Sequence, residues 1–289
     1  DQISLQLNAI HRKNYDSNTW NIIIGHWMHC FISVVLDRWR QLIKATSENP
    51  ILHTTVLDYD HSQFIANSTH HAIEQFYCDN WNHVFISKIL YHFPSIIVHK
   101  SKRRIYPVIN SKNLKKPIVN IVRRSCLFIL RNLIKSISYN TRKSNKVLAL
   151  FSPYLSVSKL IKSAFDYNGK VIYEPDLPKL SPCPHGDDLR QWRITPHDKN
   201  STFEKALVQL IPEWVPTIFL EGFSLNDNNI SKYYLKKTDI IFTANAHFNN
   251  DSFKIWTARQ KHNQSKVIIG LHGGGPPFKF HSSHQHEIE

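Results

Sequence analysis

The spacing of apolar positions changes along the chain, and the change divides it. From Trp20 to Ile43 the residues Trp20, Ile23, Ile24, Trp27, Phe31, Val35 and Trp39 recur at three and four. That is the period of a helix burying one broad face. Asp16-Ser17-Asn18-Thr19 stands before it and offers a cap. The aromatic stripe reads as core in preference to a ligand platform. Ile51 to Leu57 reads as a strand, and Gln63 to Leu90 as mostly helix with Trp81, Phe85 and Ile89 on one face. His70 and His71 are adjacent in that helix and point to different sides, which disfavours joint metal binding. Asp37-Arg38 reads as an ion pair or a surface dipeptide, without chemistry.

The pattern then loosens. Lys102-Arg103-Arg104 and Lys115-Lys116-Pro117 read as loop or linker. Ile121 to Ser138 interleaves apolar residues with Arg123, Arg124, Arg131 and Lys135, a cationic amphipathic helix. Two readings stay open for it: a helix lying on an anionic bilayer surface, or a core helix with a solvated basic rim.

From Lys146 strands and helices alternate. Val147–Phe151, Lys170–Tyr173, Asp239–Thr243 and Lys266–Ile269 are short apolar runs. The first three end at Ser152-Pro153, at Glu174-Pro175 and at Ala244-Asn245-Ala246-His247, and the fourth runs into Gly270-Leu271-His272-Gly273-Gly274-Gly275. Helices read over Ser156–Phe165, from the capping-box-like Ser201-Thr202-Phe203-Glu204 through Ile211, and over Ser252–Lys261 after Asn250-Asp251. Pro182 to His197 reads as an exposed polar loop. Alternation of this kind predicts an α/β fold with a Rossmann-like parallel sheet covered on both faces. Right-handed crossovers bring the strand ends to one edge, where Ser152, Glu174, Asn245, His247 and His272 would gather. The implied organisation is a helix-rich region over 1–99, a basic amphipathic segment over 100–146, and an α/β domain over 147–289.

Composition narrows the partners. The 289 residues carry a formal net charge of +14. Between Lys100 and Lys146 there is no Asp or Glu, and the remainder is close to balanced. Nucleic acid, anionic membrane and phosphorylated substrates are all compatible with such a charge. Nucleic acid ranks last, because no recognised module or exposed aromatic set accompanies the basic stretch. Cys30, Cys78, Cys126 and Cys183 are widely spaced, which argues against a zinc ribbon or a disulfide scaffold and fits a reducing cytoplasm. No uncharged apolar run approaches the roughly 20 residues of a membrane span.

Candidate chemistry concentrates in the last strand and its turn. His272 at a strand tip is a candidate general base. The backbone N–H groups of Gly273, Gly274 and Gly275 are candidates for holding a phosphate or carbohydrate oxygen. Asn245 and His247 are candidates for substrate hydroxyls, and Glu221 for orienting a base or binding a sugar. The bland readings are a glycine-rich turn beside a surface histidine, turn-forming residues after a strand, and a loop carboxylate. Neither the dinucleotide fingerprint nor a P-loop is present. His281, His284 and His286 are close in sequence, but a metal site needs convergent ligands with second-shell support, and no metal is assigned.

Three blocks carry a resemblance. They are Leu7-Asn8-Ala9-Ile10-His11 with Tyr15, Trp20 to Trp27 and Asp37-Arg38-Trp39; Phe219-Leu220-Glu221-Gly222-Phe223 with Ile241 to Asn245 and Asp251 to Ala258; and His272-Gly273-Gly274-Gly275 through His286-Glu287-Ile288. Together they resemble a set of transferases encoded among bacterial surface-carbohydrate (O-antigen and capsule) biosynthesis genes. That set is similar to GT-B glycosyltransferases and to the glycerophosphotransferases of teichoic-acid synthesis. The resemblance implies the N-terminal, acceptor-side half of a GT-B-type transferase, truncated at the C-terminus, with a donor-nucleotide domain expected after Glu289. It implies a nucleotide-activated donor as substrate, no separate cofactor and no metal. A glycan or lipid-linked acceptor would be met in the cytoplasm, at the inner face of the membrane. Two departures stand beside His272: Leu271 where the family has Gln, and Pro276-Pro277 near its Tyr-Gly. They favour, as the alternative, a degenerate half that binds glycan or lipid without catalysis.

Overall fold

The computed structural model describes residues 1–49, 52–107, 119–174, 177–196, 201–233 and 237–270. In chain order the elements are α1 (Gln2–His11), α2 (Ser17–Glu48), β1 (Leu52–Asp58), α3 (Thr69–Phe76), α4 (Asp79–Ile89), β2 (Ile96–Arg104) and α5 (Val119–Thr141). They continue as β3 (Val147–Phe151), α6 (Val157–Asp166), β4 (Lys170–Tyr173), α7 (Thr202–Trp214), α8 (Phe223–Ser231), β5 (Ile240–Thr243), α9 (Ala246–Asn249), α10 (Asp251–His262) and β6 (Lys266–Ile269). Two compact units result. The first joins Asp1–Ile109 to Leu180–Asn226, and the second joins Asn110–Lys179 to Asp227–Glu289.

The first unit is built on α2. Asp16 caps it, its carboxylate accepting from Thr19 N–H at 2.7 Å. Trp20, Ile23, Trp27, Phe31, Val35 and Trp39 form its buried face. By length and hydropathy alone α2 also passes for a membrane span, but this face is occupied by protein. Phe31 packs on Phe85 of α4, and Phe85 stacks on Trp81 at 4.7 Å. Trp214, at the end of α7, lies edge-on to both rings. Each such aromatic buries a large apolar area, so this cluster dominates the unit's stability. β1 and β2 pair in parallel beside it.

The first resemblance block is structural here. Asn8 Oδ1 accepts from Trp20 Nε1–H at 2.9 Å and from Tyr15 N–H at 3.0 Å, while its amide donates to Tyr15 O at 2.8 Å. One side chain thereby closes the turn between α1 and α2. His11 is buried, with Nε2 3.1 Å from Phe219 O and its ring 4.6 Å from Phe223. Arg38 pairs with Asp37 and donates to Asn82 of α4 at 2.9 Å.

The second unit holds a four-stranded parallel sheet in the order β4-β3-β5-β6. The basic helix α5 packs on it. Its Ile134 is fully buried in a core with Leu150, Leu160, Ala164 and Val171. Of the two readings for this helix, its inner face therefore belongs to the core, while Lys135, Phe128, Ile129 and Leu133 remain exposed. Ser156 caps α6 and Asn250 caps α10.

Three readings change. Lys102-Arg103-Arg104 is the tail of strand β2, not linker. Its charges give no alternation, and pairing with β1 supplies the order that side-chain pattern does not. Pro182 to His197 is not simply an exposed loop, because Arg190 within it is buried. The boundaries at 99 and 146 follow composition, whereas packing assigns residues 180–226 to the N-terminal unit. Local pattern carries no record of such a long-range return.

Candidate functional site

The chain leaves β3 to one side for β4 and returns on the other side as β5. The ends of β3 and β5 therefore flank a topological switch point, where open α/β sheets leave a crevice for ligands. Phe151 is in register with Thr243, and Ala244 N–H donates to Ser152 O at 3.3 Å just beyond. Thr243 is buried, and its hydroxyl accepts from Ala246 N–H at 2.9 Å and Asn245 N–H at 3.3 Å. This ends the strand and starts α9. Asn245, at the N-cap of α9, instead sends its amide across to Tyr154 Oη at 3.1 Å. Tyr154 is largely exposed. The two side chains thus bridge the tips of the two central strands.

The backbone here is strained. Ser152, Tyr154 and Glu174 have φ of 37°, 51° and 41°. For residues with a Cβ the left-handed region costs roughly 1–2 kcal/mol each. All three lie at the carboxyl ends of β3 and β4, and such outliers cluster at functional sites. Glu174 pairs with Arg131 of α5 at 3.4 Å. Gly270 ends β6 against the Phe242 ring. A Cβ there would come within 2.8 Å of that ring, so close packing requires glycine.

Of the predicted site residues that are described, Asn245 and His247 fall in the second unit and Glu221 in the first. Asn245 lies on the edge and is partly accessible. His247 is on α9, buried, its ring 4.0 Å from Phe248. Glu221 belongs to the first unit, where its carboxylate receives both Nε (2.6 Å) and Nη2 (2.8 Å) of Arg190 and the Gly186 N–H (3.0 Å). Arg190 spends its other donors on the carbonyls of Pro212, Glu213 and Val215 at the end of α7. The pair is 6% exposed on each side, so Glu221 is engaged in holding a loop to a helix end. His272, Gly273, Gly274 and Gly275, and the histidines at 281, 284 and 286, lie outside the described residues. Among the described residues no group of three His, Cys, Asp or Glu side chains is arranged to hold a metal ion.

Sequence reasoning missed two features of the second unit. Tyr154 follows a strand within Ser-Pro-Tyr, and only the pairing of β3 with β5 brings it to Asn245. Lys254 and Asp251 form a buried ion pair at 3.0 Å, 1% and 4% exposed, at the start of α10. Their spacing of three on a helix was the available signal.

The parallel sheets and the helices between their strands define a mixed α/β protein. A family model described as LIC12162 family transferase matches residues 1–289. The chain belongs to that family, and the family is one of transferases. No curated protein and no solved structure gives a significant match.

Proposed function

We propose that the chain transfers a sugar or polyol-phosphate from a nucleotide-activated donor to a hydroxyl of a surface-polysaccharide acceptor, as a GT-B-type enzyme. The observation that carries the reading is the switch point between β3 and β5, with Tyr154 and Asn245 across it and three left-handed residues at the same sheet edge. In this mechanism His272 takes the proton of the acceptor hydroxyl. The oxygen attacks the anomeric carbon or phosphorus of the donor, and the nucleotide departs with the bonding pair. N–H groups of Gly273 to Gly275 hold the phosphate oxygens, and Asn245 binds a substrate hydroxyl. His247, buried at the start of α9, does not reach the substrate in this scheme. Glu221 has no part in this mechanism beyond the fold of its own unit.

The donor is a substrate, so the scheme contains no cofactor. The acceptor is lipid-linked or a glycan. Exposed Phe128, Ile129 and Leu133 beside Lys135 suit peripheral attachment to the anionic inner face of the cytoplasmic membrane. Sedimentation with phosphatidylglycerol vesicles tests that attachment, and equal recovery with neutral vesicles would refute an electrostatic contribution. For the reaction, His272→Ala should abolish transfer in a nucleotide-sugar screen while the melting curve stays unchanged. Wild-type turnover by that variant removes His272 from the mechanism. Leu271 and Pro276-Pro277 favour a second reading, a half that binds glycan or lipid without turnover. Glycan binding without consumption of any donor would select it.

A further inference from the structure

We infer that the first unit carries a metal site: His53 of β1 and His99 of β2 together bind one borderline divalent transition-metal ion, such as Zn²⁺, and link the two strands. His53 Nδ1 lies 3.1 Å from His99 Nε2. The rings are nearly parallel, 13° apart, with centroids at 5.4 Å. Both residues are exposed.

The register explains why they meet. β1 and β2 run parallel, with His53 opposite Ile97 and Thr55 opposite His99. Side chains alternate along a strand, so residues two apart share a face. His53, Thr55, Ile97 and His99 therefore stand on one face of the pair. The opposite face carries Val56, Ile96 and Val98, which line an apolar pocket with Leu90 and Phe93. The histidines are thus on the outer face, where Ile97 beside them is 44% exposed. An ion reaches them from solvent.

The spacing suits a metal. A histidine nitrogen sits about 2.0–2.1 Å from zinc. Two such nitrogens 3.1 Å apart subtend roughly 100° at the ion. That lies between the right angle of an octahedral site and the tetrahedral angle. The rings already have the separation of two ligands on one ion, and turns about their side-chain bonds aim both lone pairs at it. In the neutral pair one of the facing nitrogens carries a hydrogen and the other accepts it. The ion takes the place of that hydrogen. The donor ring holds its proton on its other nitrogen instead, both facing lone pairs become ligands, and neither ring changes charge. Imidazole ligation selects Zn²⁺, Cu²⁺ or Ni²⁺, whereas Mg²⁺ and Ca²⁺ prefer oxygen. Among the described residues no third His, Cys, Asp or Glu joins the pair. Water therefore fills the remaining positions, and an ion held by two protein bonds exchanges readily. A two-stranded sheet is marginal by itself, so a link across its outer face adds to what the ladder and the inner packing supply.

The site stands whether or not the chain transfers a sugar, and its test reads no turnover. The chain of 1–289 is titrated with ZnCl₂ while imidazole ¹⁵N shifts are followed, assigned by their loss in His53→Gln and His99→Gln. Both rings should respond at one midpoint, with the changes at His53 Nδ1 and His99 Nε2. His99→Gln should move the His53 midpoint to a Zn²⁺ concentration at least about tenfold higher, since losing even an outer partner of a ligand costs that much. His53→Gln should do the same to His99. Zn²⁺ bound by other histidines and by the cysteines contributes equally to all three proteins. Zn²⁺ should also raise the melting temperature of the wild type more than that of either variant, and Mg²⁺ should shift neither ring. Near-UV circular dichroism checks that the variants keep the native fold, and either one alone gives the comparison if the other unfolds. Separate midpoints for the two rings, an unchanged midpoint in a folded variant, equal thermal shifts in all three proteins, or no response to excess Zn²⁺ would overturn the proposal and leave a hydrogen-bonded surface pair.

Discussion

The two units use their motif residues in opposite ways. In the first, Asn8, His11, Arg190 and Glu221 are consumed by internal hydrogen bonds and ion pairs. In the second, Ser152, Tyr154 and Glu174 stand at strand ends in left-handed conformations, and Asn245 reaches across to Tyr154 rather than capping its helix. The first unit's polar residues lower the energy of the fold, while the second unit's strand ends raise it. Resemblance alone cannot make this distinction, because Glu221, consumed in the fold, and Asn245, at the strand ends, sit in the same block. The difference is whether each side chain's capacity is already filled from within.

The largest effect should come from breaking the buried pair of the first unit. Arg190→Met leaves Glu221 as an uncompensated buried charge, and equilibrium unfolding in urea should report a loss of about 3–5 kcal/mol. Glu221→Gln should lose stability too, and turnover only in proportion to the folded fraction. Full stability with abolished turnover would instead return Glu221 to the chemistry and erase the contrast between units. Next comes Asn8→Ala, which strands the Trp20 indole N–H and the Tyr15 N–H. Its cost should be about 1–3 kcal/mol in the same assay.

The pH dependence follows in size. His61 has a folded pKa of about 3 against an ordinary 6.5. Between these values the unfolded chain binds a proton that the folded chain refuses. Stability is therefore full above pH 6.5 and falls on acidification towards pH 3, by at most about 1.4 kcal/mol per pH unit. Burial shifts His71, His83 and His92 in the same direction. His61→Phe should flatten, without abolishing, the slope of unfolding free energy against pH. An unchanged slope would mean that His61 is hydrated in solution. The smallest effect should belong to the second unit. Ser152→Gly should relieve left-handed strain and raise stability, by at most about 1 kcal/mol net of glycine's own entropy, while lowering transfer. A loss of stability instead would show that the edge is not strained.

The elements were largely legible. Periods of three to four residues placed α2, α5 and α10, and short apolar runs placed β3 to β6, because one buried face imprints its repeat on the sequence. Capping by Asp16, Ser201 and Asn250 was readable for the same local reason. β2 was not, since its charged tail carries no alternation and its partner β1 lies about forty residues away. Among the candidate residues, the sequence placed Asn245 and His247 just past a strand. It could not show that His247 turns inward or that Arg190 closes on Glu221.

The amino-acid order by itself determined the alternating α/β half, the acid-free basic stretch and the residues that terminate each strand, since all three depend on neighbours in the chain. Strand order, the return of residues 180–226 to the first unit, and the division of polar side chains between structure and crevice were decided only by tertiary packing. Whether a carboxylate or imidazole is occupied depends on groups tens to hundreds of residues away, and those are chosen by burial, not by adjacency.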